Sequence, residues 1–283
     1  MRNQLNIMKM HFLLLFLLIT VFLSGCINQT ENQIAFGLNF ALTSTTKQVK
    51  ASNPTTFILT VKNLASEKAE DISARLTNLT DWKIENEIQK LESLSPNDLY
   101  KFSWVAYAPP YNKSFTASAE IFYLMKTKSN LKVRVYNNEY LEGLKREEKE
   151  KIKSQSALLS LTSSKNTPVS LTVSLNQPFI LTQSYQKFPF TIEIKNLGKG
   201  TIYTDYSTYP PREKNKNKLR FNFQTNATLD CDFEDDSLIE VDKSKTFVCR
   251  ILARNVEKFE DFYIDFSLTY YYLDKASTKI EVV

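Results

Sequence analysis

The chain has 283 residues, with 36 Lys and Arg against 31 Asp and Glu, and 12% aromatic residues. Charged residues at 24% beside that aromatic content allow packed cores and exclude wholesale disorder; the length suits one or two domains. A formal charge of +5, spread along the chain, gives no concentrated basic face, so no nucleic-acid partner is expected.

The N-terminus carries Arg2 and Lys9 without an acid, then an apolar run from Phe12 to Leu23 broken only by Thr20. Twelve residues make a helix of about 18 Å, short of the roughly 30 Å of a bilayer core. A basic start, a short apolar run and small residues before a cut site describe a secretory signal peptide over residues 1–25. Leu23-Ser24-Gly25-Cys26 resembles the lipobox of prokaryotic lipoproteins, which implies a diacylglyceryl anchor on Cys26 as the first mature residue. An ordinary signal with an incidental cysteine is the competing reading.

Removing residues 1–25 takes away Arg2 and Lys9, leaving 34 basic against 31 acidic residues. With Cys26 committed to lipid, Cys231 and Cys249 remain, and in an oxidising compartment two remaining thiols most simply pair. The loop they close is worth about 3 kcal/mol; two buried free thiols are the alternative. The single histidine, His11, lies in the signal. Its removal excludes Ser-His-Asp triads, Cys-His dyads, His-ligated zinc and any His general base.

Further along, Phe57-Ile-Leu-Thr-Val-Lys-Asn-Leu64 matches Phe190-Thr-Ile-Glu-Ile-Lys-Asn-Leu197 at an offset of 133. Phe57, Leu59 and Val61, like Phe190, Ile192 and Ile194, alternate with period two, the mark of a half-buried strand. Leu94–Trp104 aligns with Val241–Ile251, placing Phe102 where the second copy has Cys249. Phe115–Val133 aligns with Ile264–Val282 at an offset of 149. The second copy therefore carries about sixteen extra residues, assigned to Tyr203–Lys218. Short alternating strands with turns every 8 to 12 residues read as β-sandwiches.

This pattern, a strand ending in Val-Lys-Asn-Leu or Ile-Lys-Asn-Leu-Gly and then a turn and a strand ending in Trp104 or Ile251, resembles the immunoglobulin-like modules of archaeal and bacterial surface proteins. The CARDB-type group is the nearest resemblance, and with the lipobox it implies a prokaryotic membrane lipoprotein, archaeal before bacterial. The expected fold is all-β: two tandem immunoglobulin-like antiparallel sandwiches, residues 35–136 and 169–283. They follow the signal and a tether at 26–34, and are joined by a charged helical and Ser/Thr linker at 137–168. In that linker Glu142 with Arg146 and Glu147 with Lys151 have the favourable i,i+4 spacing. The tether would hold the first sandwich near the membrane and the linker would hold the second farther out.

Tyr203, Tyr206, Tyr209 and Arg212 put aromatics beside cations in the extra tract, a candidate loop for a protein or glycan partner; packing of the tyrosines on their own sandwich is the competing reading. Asp230, Asp232, Glu234, Asp235 and Asp236 surround Cys231 without the spacing of a calcium loop, with Lys243 and Lys245 nearby to neutralise them. Four Asn-x-Ser/Thr triplets start at Asn28, Asn78, Asn112 and Asn226. No catalytic residue, metal or cofactor is expected. The implied function is a lipid-anchored, extracytoplasmic, non-catalytic adhesion, binding or display module. An exposed accessory subunit of a membrane transport or secretion complex is the alternative, and a carboxylate-based glycan hydrolase comes behind both.

Overall fold

The structure, a computed structural model, describes residues 36–154, 160–175, 178–205 and 211–283. The expected signal segment, Cys26 with the expected tether, and Tyr206 and Tyr209 lie outside the described residues. The first half of the chain forms β1 (Leu38–Ser44), β2 (Gln48–Val49), β3 (Pro54–Asn63), β4 (Ala69–Thr77), β5 (Lys83–Ile84), β6 (Ile88–Leu94), β7 (Leu99–Tyr107) and β8 (Lys113–Asn137). Helices α1 (Asn138–Glu142) and α2 (Arg146–Ser154) follow. Then come β9 (Ser160–Ser163), β10 (Val169–Leu175), β11 (Phe179–Leu181), β12 (Tyr185–Asn196) and β13 (Thr201–Tyr203). The chain closes with β14 (Lys218–Thr225), β15 (Thr228–Cys231), β16 (Ser237–Glu240), β17 (Ser244–Arg254) and β18 (Phe259–Val282). The chain is all-β in class, its main ladders antiparallel.

Two four-stranded sheets, β1-β3-β7-β5 and β10-β12-β17-β15, share one core with a ten-stranded sheet whose main path is β16-β14-β18-β8-β4-β6. In β3, Phe57, Leu59 and Val61 are fully buried, and Phe190, Ile192 and Ile194 match them in β12. Burying each such side chain contributes about 1.5–3 kcal/mol. The shared Lys-Asn-Leu ending has a cause. Asn63 Nδ2 donates to the carbonyls of Glu67 and Leu94, both at 2.9 Å, and Asn196 Nδ2 donates to that of Gly200 at 3.1 Å. Each asparagine thus ties the end of its strand to the turn that follows.

The pairing corrects one alignment. Phe57 stands opposite Trp104, and its counterpart Phe190 stands opposite Cys249. Trp104, not Phe102, therefore fills the Cys249 position, and Phe102 corresponds to Phe247. The backbone agrees: Asn63 N donates to Asp98 O, and Asn196 N donates to Lys243 O. A slip of two residues leaves the inward–outward alternation intact, so the sequence pattern cannot detect it.

The largest departure from the expected layout lies in β8 and β18. All 24 residues of β18 pair antiparallel with β8, from Phe259–Tyr136 to Val282–Lys113. The first part of β8 pairs with β4 of the first half; its last part pairs with β9 and, in parallel, with β11 of the second. β18 does the reverse, pairing first with β14 and at its end, in parallel, with β2. Each half is completed by a strand that begins in the other, and residues 35–283 form one compact unit. Where two sandwiches on a helical linker were expected, one continuous ribbon runs through both halves; Thr127 and Ser129, buried and polar, hold the inward positions between Met125 and Leu131, so the period of two is unbroken.

The helices sit at the end of that ribbon. Asn137 closes β8 and caps α1, its Oδ1 accepting from Glu139 N and Tyr140 N. The chain leaves helical pairing at Gly143–Lys145, so Glu142 and Arg146 fall on different helices. Arg146 pairs with Glu150, and Lys149 with Glu142.

The first described residues are tied to both halves. Gly37 N donates to Asn166 O of the second half, and Gly37 O accepts from Leu64 N. At φ +70°, with Tyr123 Oη 2.5 Å from where a Cβ would lie, only glycine fits. Both halves therefore contact the segment around Gly37.

Candidate binding surface

The extra tract leaves from within a strand. β4 is continuous in the first half; its counterpart is split into β13 and β14, which both pair with β18. The returning chain forms a 3₁₀ turn, Glu213–Asn215, and Asn217 N donates to Ile202 O. Of the four residues singled out there, Tyr203 is buried at 6% exposure, its ring 6.0 Å from that of Phe122. Phe122 in turn stacks on Tyr271 at 5.1 Å. Tyr203 is therefore packing rather than offered to a partner, and burial pushes its hydroxyl pKa up. Arg212 is exposed.

Burial, and then Asp71, pushes the Tyr271 hydroxyl up to about 12; it donates to Asp71 Oδ2 at 3.0 Å.

Cys231 and Cys249 form a disulfide between directly opposite residues of β15 and β17, with Cα atoms 4.3 Å apart. Three of the five carboxylates around it are engaged, and among the described residues none pairs with Lys243 or Lys245. Asp230 meets Lys187 at 2.9 Å and Arg250 at 3.8 Å, Asp236 meets Arg220 at 2.7 Å, and Asp235 accepts from Phe223 N at 2.8 Å. The Lys187 ammonium holds Asp230 below the usual carboxylate range, as the Arg220 guanidinium does Asp236. Both tryptophans are core. Trp104 donates from Nε1 to Glu87 O at 3.1 Å, and Trp82 sits edge-on between Phe57 and Phe115.

The sequence pattern did not single out the outer face of the ten-stranded sheet in the second half. There Lys132 lies opposite Tyr263, Arg134 opposite Asp261, and Tyr136 opposite Phe259, while Leu131, Val133 and Val135 between them point into the core. Arg134 grips Asp261 with two bonds, at 2.5 and 2.8 Å, and its guanidinium lies 4.4 Å over the Phe259 ring. Lys132 reaches Asp261 at 3.1 Å and lies 5.1 Å over the Tyr263 ring. The Arg134 pair keeps Asp261 ionised below the usual range. Phe259 and Tyr263 nonetheless remain 47% and 48% exposed.

Along the same face the ladder runs into an open depression of about 360 Å³, lined by Lys128, Asn130, Asn222, Gln224, Asp265 and Ser267. Asn130 Nδ2 donates to Asp265 Oδ1. Fixed aromatic rings beside amides, a carboxylate and a cation can stack on and hydrogen-bond a partner without chemistry.

No family model and no curated protein matches this chain. Among solved structures it is similar to the secreted serine protease VesC from Vibrio cholerae, at 9% identity and TM-score 0.24, over 87% of this chain and 52% of that one. It is also similar to a Salmonella alpha-2-macroglobulin, at 10% identity and TM-score 0.25, over 87% and 16%. A third is the collagen adhesin of S. aureus, at 9% identity and TM-score 0.14, over 88% and 93%. The chain spans about half the length of the protease and a sixth of the macroglobulin, and likenesses this distant carry no argument about function. Among the described residues no helix is long and apolar enough to cross a membrane. The disulfide is compatible with an extracytoplasmic protein.

Proposed function

We propose that this chain is an exported, lipid-anchored binding and display module of a prokaryotic surface, without catalytic chemistry of its own. Its body is read as two immunoglobulin-type sandwiches that exchange their closing strands. Support for the architecture is the order β1-β3-β7-β5 against β6-β4-β8-β18, which follows the four-strand and three-strand sheets of that fold with one strand added. Support for the address is the Leu-Ser-Gly-Cys26 motif after a short apolar run. Support for a non-catalytic role is the absence of histidine beyond residue 11.

The observation that carries the binding reading is the pair of half-exposed rings, Phe259 and Tyr263, fixed by cations on the outer sheet face and left 47% and 48% exposed among the described residues. The partner is a protein or glycan of the cell surface. The test uses full-length lipidated protein and its Phe259→Ser/Tyr263→Ser variant as baits on one envelope extract. A partner recovered with the parent and lost at least tenfold with the variant supports the reading; equal recovery refutes it. The anchor is read separately: Cys26→Ser protein should leave the membrane fraction, and its correct processing and full retention there would refute lipidation.

A further inference from the structure

Three Asn-x-Ser/Thr triplets fall among the described residues, and all three asparagines are exposed, so exposure does not distinguish them. Their amides do. Asn78 Nδ2 donates to Ser118 Oγ at 3.0 Å, and Ser118, only 3% exposed, is itself bonded to Ser277 Oγ at 2.8 Å. Asn226 uses both side-chain atoms: Nδ2 donates to Asp261 O at 3.1 Å, and Oδ1 accepts from Tyr263 N at 2.8 Å. That side chain replaces the next rung beside β18, where β14 has ended. A group attached to either nitrogen breaks a bond that the fold uses.

Asn112 differs. It lies in the turn between β7 and β8, and its amide has no partner among the described residues. The turn is nonetheless held. Ala108 N donates to Asn53 O at 3.0 Å, Tyr111 Oη donates to Asp81 Oδ2 at 2.6 Å, and Phe115 is buried. Ser114, the third residue of the triplet, is exposed. The whole acceptor is therefore presented at a fixed tip.

We propose that Asn112 is an N-glycosylation site of the folded protein and that Asn78 and Asn226 are not, the donor being a polyprenyl-pyrophosphate-linked oligosaccharide. The Asn112 amide nitrogen bonds to C1 of the first sugar, the C1–O bond to the pyrophosphate breaks, the lipid pyrophosphate leaves, and the amide gives up one proton. Only the place where the donor is met rests on the export reading, and transfer in vitro tests the site without it.

Folded full-length chain carrying Asn28→Gln, so that the fourth triplet cannot accept, is incubated in detergent with an oligosaccharyltransferase and the lipid-linked donor, beside synthetic peptides spanning the other three triplets. Intact mass should rise by one glycan, mapped to the Asn112 peptide, lost in Asn112→Gln and kept in Asn78→Gln. The Asn78 and Asn226 peptides should accept glycan at least tenfold better than the same positions in the folded chain. Comparable occupancy at Asn78 or Asn226 in the folded chain overturns the proposal, as does no transfer to Asn112, whether or not its peptide accepts. Failure of export would show instead in the fractionation of the Cys26→Ser protein.

Discussion

Tyr123 and Tyr272 stand directly opposite each other where β8 and β18 cross from one half to the other, with ring centroids 5.9 Å apart. They are also the two residues that the repeat offset of 149 carries onto one another, so the internal two-fold relation of the chain passes between them. Each hydroxyl points back into its own half. Tyr123 Oη accepts from Leu38 N at 3.4 Å; Tyr272 Oη accepts from Gly200 N at 2.8 Å and donates to Asn196 Oδ1 at 3.0 Å.

Exchange of closing strands ties the stability of the halves together. The only tryptophans, Trp82 and Trp104, lie in the first half, so fluorescence reports on it alone. Phe221→Ala, in the second half, removes a fully buried ring and should cost about 3–5 kcal/mol. The tryptophan transition in urea should move to lower denaturant with it. A transition left in place would mean that the halves unfold independently.

Close approach at the tyrosines makes a second test. A Cβ on Gly198 would lie 2.1 Å from Tyr272 Oη. Gly198→Ala should destabilise by about 1–3 kcal/mol, and adding Tyr272→Phe, which removes that oxygen, should cost less than the two single changes summed. Strict additivity in a denaturation cycle would show that the clash is relieved elsewhere.

The cross-strand disulfide closes a short loop, with a sequence separation of 18. Replacing Cys231 and Cys249 together by alanine should lower stability by about 3 kcal/mol. A loss below about 1 kcal/mol, measured by urea unfolding, would place the hold on β15 in the packing of Phe233 against Phe221 and Phe247 instead.

Asp274 supplies a pH signature. Burial raises its carboxyl above the usual 3.8, against the opposing pull of Lys275 N, Lys199 and Lys275. A raised folded-state value means that the protonated form is favoured, so this contribution is full below the unfolded value and is lost as pH rises through the folded one. Asp274→Asn should therefore stabilise the protein at pH 7 and have little effect at pH 3. Equal effects at both, in thermal melts, would show that charge is not the cause.

Much of this was legible in the residues. The strands around Phe57 and Phe190 declare themselves through alternation, and the Lys-Asn-Leu ending marks turns that Asn63 and Asn196 hold. The split of β13 from β14 was visible as a jump in offset, which the pairing sets at 133 before it and 145 after it; the last step to 149 falls between β17 and β18. The crossing of β8 was not visible, because a strand passing from one core to another keeps the same alternation, and the polar stretch Lys126-Thr-Lys-Ser-Asn130 reads as a turn although it stays in the strand. The ladder was equally hidden. Arg134 and Asp261 are 127 residues apart, and each reads as an ordinary outward position until pairing brings them together. Tyr203 is the opposite case: beside Asp205 and the prolines it reads as loop, whereas it ends a strand and, as the packing reading of these tyrosines had it, turns inward.

The ribbon of β8 and β18 acts as a reading frame common to both halves. Loops can gain or lose residues freely, as the added tract after Tyr203 demonstrates. Deleting one residue near Lys126 would leave the first half correctly faced and turn Leu131, Val133 and Val135 outward for the rest of the strand. Length is thus fixed in two strands and negotiable elsewhere, and the two copies are free to diverge in everything except their phase.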